Sequence, residues 1–266
     1  MEGWFAGLSP GDIDGAAAAI EEGSCDRPHA WPDRAVEAGF VDDTGEYYTI
    51  LSESARAAAK AGVHRHAESD DERVKQAIRA LEDVDRVSNE LAERVREWAI
   101  AANVDIDGIE ELADGSRDRR IARLASIVVE LRNERQELES EIERTMDVVS
   151  PNLTALAGPL LGARLIALAG DLESLAKLPS GTVQVLGAED ALFAHLHDGA
   201  PPPKHGIIYT HEYVRGTAPD RRGSAARALA GKLAIAARID HYAGDYRPDL
   251  ERELDTRIAR VRGEAE

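Results

Sequence analysis

Apolar residues recur every three or four positions through two long stretches of residues 70–147. The first stretch keeps two columns at seven-residue spacing, Val74, Leu81, Ser88 and Val95 beside Ala77, Val84, Leu91 and Trp98. The second keeps Ile121, Val128, Arg135 and Ile142 beside Leu124, Leu131, Leu138 and Thr145. Since a 3.5-residue spacing persists for four heptads, the pattern predicts two coiled-coil helices. A short, turn-forming connection between them predicts an antiparallel hairpin.

Polar residues interrupt this predicted seam at Ser88 and Arg135, which either set the register of the two helices or lie at the edge of the seam. A lone hairpin would also leave apolar flank exposed at Ile78, Val87 and Val129. A second copy of the chain could cover that flank, so we expect a homodimer.

Residues 151–266 read as an all-helical domain. We predict apolar helices over 153–168 and 172–178, helices over 187–196 and 225–242, and a charged, fraying terminal helix over 249–262. The short segment at 182–186 could be extended. Gly158, Gly162 and Ala163 would let helices approach closely.

Residues 1–66 carry turn signals and two of the three tryptophans, Trp4 and Trp31. The run from Glu46 to Leu51 could be a strand, and Ala55 to Ala61 reads as a short helix. The predicted fold is therefore mainly α, with a small α+β head (1–66), an antiparallel coiled-coil hairpin (67–150) and an all-helical C-terminal domain (151–266).

Charge is distributed unevenly along the chain, whose net charge is −18. Residues 151–266 hold 15 acidic and 14 basic side chains, so nearly all of the excess negative charge lies in residues 1–150. Within 204–238 the sign reverses, because only Glu212 and Asp220 oppose the cations of what we call the basic island: Lys204, Arg215, Arg221, Arg222, Arg227, Lys232 and Arg238. A basic island in an acidic protein indicates nucleic-acid binding. A solvated helix face with ordinary ion pairs is the alternative.

Acidic excess with few lysines also suggests an organism with a salty cytoplasm. At molar salt the Debye length falls to about 3 Å, so the acidic half would repel RNA little. Phosphate contacts are weakened by the same screening, and binding must then depend more on shape and packing.

Catalytic motifs are lacking: the sequence has no Walker or Rossmann loop and no Gly-x-Ser-x-Gly elbow. Its one cysteine, Cys25, has no evident histidine partner. We find no metal-ligand pattern, cofactor motif, signal peptide or membrane span, and expect a non-enzymatic cytoplasmic protein.

Three features of the C-terminal domain are candidate binding elements. Gly187-Ala188-Glu189 opens a helix whose free N–H groups and dipole favour an anion. A proline-rich loop presents Lys204 and His205. On the helix over 225–242, Arg227, Lys232 and Arg238 are too unevenly spaced to share one stripe, so at most two can face one ligand and the third could pair with an acid such as Asp240.

Several motifs in order resemble the Nop-domain family, closest to the archaeal scaffold of box C/D small ribonucleoproteins. They are Pro151-Asn-Leu, Leu161-Gly-Ala-Arg-Leu-Ile-Ala-Leu-Ala-Gly, Val183-Gln-Val-Leu-Gly-Ala-Glu-Asp-Ala-Leu-Phe, Pro203-Lys-His-Gly-Ile-Ile-Tyr and Arg227-Ala-Leu-Ala-Gly-Lys-Leu-Ala-Ile-Ala-Ala-Arg-Ile-Asp, with Arg94-Val-Arg-Glu-Trp upstream. The resemblance covers about residues 70–262.

The resemblance implies a scaffold that holds the methyltransferase fibrillarin by its N-terminal domain, dimerises through its coiled coil, and grips a kink-turn RNA together with a small ribosomal-protein-like binder. Guide-directed 2′-O-methylation would use S-adenosylmethionine bound by fibrillarin and not by this chain. The Gly187-Ala188-Glu189 turn would approach RNA backbone or the protein partner, Lys204 and His205 would reach the kink-turn stem, and Arg227, Lys232 and Arg238 would divide between phosphate contact and structural pairing.

The chain departs from the family pattern at Asp190, Ala194 and Ser224, where basic residues are common. Each departure removes a plausible phosphate contact and about one unit of salt dependence. The head is also short for the family. A structural coiled-coil dimer without RNA binding is the alternative function.

Overall fold

The computed structural model describes residues 3–23, 29–67, 69–104 and 108–264, apart from the side chains of residues 65–67. All regular secondary structure in this described part is helical. A 3-10 helix spans Ile207–Thr210. The α-helices are α1 (Ile13–Glu22), α2 (Trp31–Glu37), α3 (Thr44–Ala67), α4 (Asp70–Ala101), α5 (Ile109–Gly115), α6 (Arg119–Val149), α7 (Pro151–Ala157), α8 (Pro159–Ala169), α9 (Leu172–Lys177), α10 (Ser180–Val185), α11 (Glu189–Asp198), α12 (Glu212–Arg215), α13 (Arg222–Tyr242) and α14 (Asp249–Arg262).

The chain divides into two compact units, Met1–Ser69 and Asp70–Glu266. The first unit is small and has an aromatic core in which Trp4 lies edge-on to Phe5 and to Phe40, with both pairs of centroids 5.6 Å apart. Trp4 also donates its indole N–H to the hydroxyl of Tyr47, at 3.2 Å.

The predicted strand at 46–51 is wrong, because these residues lie within α3. The Asp43 carboxylate accepts the N–H of Glu46 at 2.8 Å and so caps the helix just ahead of the β-prone run. Tyr47, Ile50 and Ser54 are then buried at helical spacing on one face. The described part of the head is accordingly helical rather than α+β.

The antiparallel hairpin is confirmed in α4 and α6. At one end Val74, Ile78 and Leu81 share a core with Ile142 and Met146. At the other end the second half of α4 packs on the first half of α6, in a cluster that includes Val95, Ala99, Ile121, Ala125 and Val128.

One core column of each helix is displaced from its predicted position by one residue. The columns beginning at Val74 and Ile121 are buried as predicted, apart from half-buried Arg135. The second columns run instead through Ile78, Ala92 and Ala99 in α4 and through Ala125 and Met146 in α6. The predicted second columns, which begin at Ala77 and Leu124, flank the seam and are half-buried apart from exposed Trp98.

Arg135 bridges the two hairpin helices. Its guanidinium donates to Asp85 at 2.8 Å and to Glu139 at 2.9 Å. The connection between the helices is more than a turn, since α5 packs on α6 and Arg132 pairs with Glu110 at 2.7 Å.

The base of the hairpin and the C-terminal helices share one hydrophobic core. Ile78, predicted as exposed flank, is 1% exposed because this domain covers it. Gly162 of α8 permits the close packing, since a Cβ there would lie 2.7 Å from the terminal methyl of Met146.

Three further expectations for the C-terminal domain need correction. The helix predicted over 153–168 divides at Gly158, whose φ is +76°. Residues 182–185 belong to α10 and are not extended. The terminal helix α14 is docked rather than frayed, because Leu250, Leu254 and Ile258 form one buried face.

Within the described residues, no single helix has the length and apolar character needed to cross a membrane. Helices α7 and α8 meet those criteria only as a pair, and that pair is bent by 116°.

Candidate nucleic-acid interface

The loop that carries Lys204 and His205 is tied by hydrogen bonds to the end of α10. The N–H of Gly206 donates to the carbonyl of Gln184 and the N–H of Ile207 to that of Leu186, both at 2.8 Å. The Gln184 side chain returns a hydrogen bond to the carbonyl of Lys204 at 2.7 Å. A Cβ on Gly206 would lie 2.0 Å from the Leu186 carbonyl oxygen, so only glycine allows this approach.

The structure therefore places Lys204 and His205 beside the turn at Gly187. That turn has a positive φ of +80°, which glycine adopts without strain. Its N–H is already engaged, because the carboxylate of Glu189 accepts it at 2.8 Å. The predicted anion site at the start of α11 thus has one of its donors occupied by the chain's own carboxylate.

His205 is part of a stack with Tyr209 and Arg222. The rings of His205 and Tyr209 are stacked, with centroids 4.6 Å apart and planes 22° apart. The Arg222 guanidinium lies 5.5 Å from the centroid of Tyr209. Burial, with a smaller contribution from the neighbouring cations Arg222 and Lys204, lowers the pKa of His205 below its usual value.

Lys204 lies against the first turn of α13, where a Cβ on Gly223 would be 3.9 Å from the Cβ of Lys204. Arg227 follows Gly223 by four residues and therefore lies on the same side of the helix. The positive end of the α13 dipole adds to the positive electrostatic potential around Lys204 and the start of α13.

Three cations of the basic island are exposed here and have no ion pair within the described part of the chain. We call them the basic edge: Lys204, Arg215 and Arg227. Arg215 is next to the stack, because its carbonyl accepts a long 3.4 Å hydrogen bond from Arg222.

The other four cations of the island hold the domain together. Lys232 pairs with Glu253, and Arg221 donates to the carbonyls of Val261 and Arg262 at the end of α14. Arg238 donates to the carbonyls of Ala176 and Leu178 at 2.9 and 3.0 Å. Arg222 donates to the carbonyl of Thr217 at 3.0 Å.

The suggested partner of the third cation is wrong, because Asp240 binds Asn152 and Leu153 rather than an arginine or lysine. Its Oδ1 accepts both the backbone N–H and the side-chain amide of Asn152, at 3.0 and 2.6 Å, and its Oδ2 accepts the N–H of Leu153 at 2.8 Å. These donors lie at the start of α7, so Asp240 caps that helix from α13.

Sequence reasoning left Tyr209, Arg215 and Arg222 out of the candidate residues. Arg215 and Arg222 belonged to the basic island, but charge counting does not distinguish exposed cations from those that bind carbonyls. Tyr209 stood in a short apolar run after His205, and the 3-10 helix that brings the two rings together gave no periodic signal.

Helix α11 presents apolar side chains without burying any residue. Phe193 and Leu196 are 62% and 71% exposed. Such a helix, directly after the Gly187 turn, offers an apolar surface next to the basic edge.

A groove of about 540 Å³ extends from the interface to the base of the hairpin. Its lining includes Gly187, Tyr209, Arg79, Glu82 and Arg164. Arg164 and Glu82 pair across it at 2.8 Å. The described residues hold no group of three or more side chains suited to a metal ion.

Comparison with known proteins identifies the family. Residues 68–260 match the model described as Nop, snoRNA binding domain, fibrillarin. The chain belongs to the Nop family. This match confirms the resemblance and covers the hairpin and the C-terminal helices.

Individual relatives agree with this assignment. A NOP5 family protein of Methanocaldococcus jannaschii is 37% identical over 275 residues, covering 85% of this chain and 66% of that protein. Nucleolar protein 58 of Scheffersomyces stipitis is 40% identical over 54% of this chain, and nucleolar protein 56 of Schizosaccharomyces pombe is 43% identical over 46%. Those two alignments span only 29% and 24% of the yeast proteins, so the chain corresponds to part of their length.

A solved structure is similar along nearly the whole chain. It is a chain in the crystal structure of a fibrillarin/Nop5p complex, with a TM-score of 0.57 and 29% identity. The match covers 97% of this chain and 98% of that one.

Proposed function

We propose that this Nop-family chain is a non-catalytic scaffold of a box C/D guide ribonucleoprotein. It binds a kink-turn RNA together with a small RNA-binding protein and positions fibrillarin for guide-directed 2′-O-methylation. S-adenosylmethionine is then bound by the methyltransferase partner. The observation that carries the proposal is the basic edge, where three exposed cations meet the positive end of α13 in an otherwise acidic protein.

The surface favours composite recognition over RNA binding alone. Three exposed cations are few for a phosphate-only site, and Glu189 and Asp190 place negative charge beside them. The apolar side of α11 next to them would instead be covered by a protein. A scaffold that contacts RNA and protein together obtains binding free energy from both surfaces.

Self-association through the hairpin is supported by the flanking columns. They are Ala77, Val84, Leu91 and Trp98 on α4 with Leu124, Leu131, Leu138 and Thr145 on α6. In both helices they precede the second core column by one residue, and because the helices are antiparallel both columns turn to the same side of the hairpin. We call this side the open face.

The opposite side of the hairpin is covered by the rest of the unit. Lys75 reaches the carbonyl of Gly170 at 3.2 Å, Glu82 pairs with Arg164, and α5 lies against α6. A second copy could bury the open face, and we expect twice the monomer mass of 28.8 kDa in sedimentation. Leu131→Glu should give monomers, whereas Asn133→Glu, which adds the same charge outside the open face, should not. Equal masses for both variants would exclude this interface.

In this proposal fibrillarin is bound by the first unit, Met1–Ser69. Its aromatic core gives it a defined fold despite its small size, and Tyr48 is 61% exposed on α3. The composition further suggests adaptation to high salt, so RNA binding should persist at high potassium concentration.

A structural dimer without RNA binding is the competing function. The deciding experiment measures binding of a kink-turn RNA with and without the small kink-turn-binding protein. Binding only in the presence of that protein supports the composite clamp. Absence of binding in both cases, with the chain folded by circular dichroism, would leave the structural dimer as the better account.

A further inference from the structure

We infer that Tyr209 and Arg222 are positioning residues: they hold the His205 ring in the orientation in which it meets RNA, without contacting the RNA themselves. This inference rests on the proposed function.

The geometry gives each group a distinct part. Tyr209 supplies the flat surface against His205, with 4.6 Å between centroids and nearly parallel planes. The 3-10 helix Ile207–Thr210 holds Tyr209, because its N–H donates to the carbonyl of Gly206 at 3.0 Å. Since Gly206 is itself bound to Gln184, the stack is anchored to the end of α10.

Arg222 restrains Tyr209 from α13. Its guanidinium lies 5.5 Å from the ring centroid, within the range of a cation–π contact. Its Nε donates to the carbonyl of Thr217 and its Nη2 to that of Arg215. The Nε and Nη2 donors of Arg222 are therefore engaged by backbone carbonyls, whereas the side chains of Lys204 and Arg227 are exposed.

Preorganisation is the physical advantage of such a stack. Immobilising a free side chain on binding costs free energy equivalent to a factor of a few to about ten in Kd. A ring already stacked avoids most of that cost. The titratable and charged groups around His205 are Lys204, Arg222 and Tyr209, and its burial favours the neutral imidazole near pH 7.

The test combines a measurement on the free protein with one on the assembled complex. His205 is titrated by NMR in the full chain and in Tyr209→Leu, Tyr209→Phe and Arg222→Gln. With Tyr209→Leu the pKa should rise towards the ordinary 6.5, because the ring loses its cover. Tyr209→Phe keeps the stack and should leave the pKa unchanged.

Kink-turn RNA binding with the partner protein is then measured across a salt series. Tyr209→Leu should weaken binding about tenfold at most, Tyr209→Phe should bind like the parent, and Tyr209→Leu should add nothing in a His205→Ala background. Arg222→Gln should weaken binding without changing the salt slope, which is the slope of the logarithm of the binding constant against the logarithm of the salt concentration. Thermal unfolding of each variant identifies any loss caused by misfolding.

Three results would overturn the inference. A salt slope reduced by about one in Arg222→Gln would make Arg222 a phosphate ligand. Additive losses of RNA affinity from Tyr209→Leu and His205→Ala would show that the two residues act independently. Unchanged binding in His205→Ala, with loss on neutralising Lys204 and Arg227, would reject the positioning role and leave the proposed function intact. If the parent chain bound no RNA, both would fail.

Discussion

The two ends of helix α13 carry the same kinds of side chain and use them differently. At the N-terminal end Arg227 is exposed, close to Lys204 and without an ion pair among the described residues. Towards the C-terminal end Arg238 and Lys232 bind carbonyls or a carboxylate, and Asp240 accepts three hydrogen bonds. One end is available to a ligand and the other holds the domain together.

This difference shows why a count of positive charges does not locate a binding site. Cations that donate hydrogen bonds to carbonyls or carboxylates of the chain stabilise the folded domain. Unpaired cations beside a helix N-terminus instead create a positive electrostatic potential that attracts an anion. Variants at the two ends should therefore separate stability from binding.

The largest effect is expected from Asp240→Ala at the structural end. The change leaves the buried N–H groups of Asn152 and Leu153 without their acceptor, and we expect a loss of about 3 kcal/mol in the free energy of unfolding. Urea denaturation measures it. Asp245→Ala is the matched control, since only its carbonyl accepts from Asn152, and it should change stability by less than about 0.5 kcal/mol. Equal losses in both variants would contradict the capping role of Asp240.

Removing Lys204 and Arg227 together tests the binding end. Loss of two phosphate contacts should weaken RNA binding tenfold or more at moderate salt and lower the salt slope by about two, while the unfolding free energy changes little. The control removes Arg119 and Arg123, two exposed arginines of α6 at the opposite end of the hairpin. If the control variant lost as much affinity, the effect would be one of total charge.

Arg238→Ala should cost about 1 kcal/mol of stability without altering the salt slope, because its donors serve Ala176 and Leu178. Lysine in its place should not restore stability, since it cannot reproduce the planar pair of donors. A reduced salt slope in Arg238→Ala would instead indicate that the RNA site extends along α13 to Arg238.

The smallest effect concerns His211, which accepts the N–H of Tyr213 and so caps α12. Burial lowers its pKa below 6.5, so the unfolded chain takes up the proton first as the pH falls. Its contribution to stability should be complete above pH 6.5 and decline as the pH falls towards the lowered folded pKa. His211→Asn keeps a capping oxygen and should flatten unfolding curves between pH 7 and 5; an unchanged pH dependence would rule out His211 as the source.

The helical architecture could be predicted because long periodic segments depend on local spacing. The errors came where a tertiary contact or a cap decided the outcome. Asp43 caps the helix that contains the β-prone run at 46–51, and Gly158 divides an apolar segment that sequence periodicity joins. In the hairpin, Ala77 and Leu124 were assigned to the seam in place of Ile78 and Ala125, because apolar residues occur on both sides of it.

Sequence motifs supplied the candidate residues of the site, but they did not predict the contacts among those residues. The structure brings Lys204 and His205 next to the Gly187 turn because the loop at 204–207 returns to the end of α10, and no sequence motif predicted that proximity. The pairing of Glu189 with Gly187 and the separation of Arg238 from the basic edge depend on distances that no sequence motif encodes.

Crosslinking within the assembled complex would locate the RNA on the chain. The chain, the kink-turn RNA and the small RNA-binding protein are mixed, irradiated and digested, and the RNA-linked peptides are identified by mass spectrometry. We expect links at residues 187–190, Lys204, His205, Arg215 and Arg227, and none at Tyr209, Arg222, Lys232 or Arg238. Links concentrated around Lys232 and Arg238, or confined to the hairpin, would contradict the assignment of the RNA site to the N-terminal end of α13.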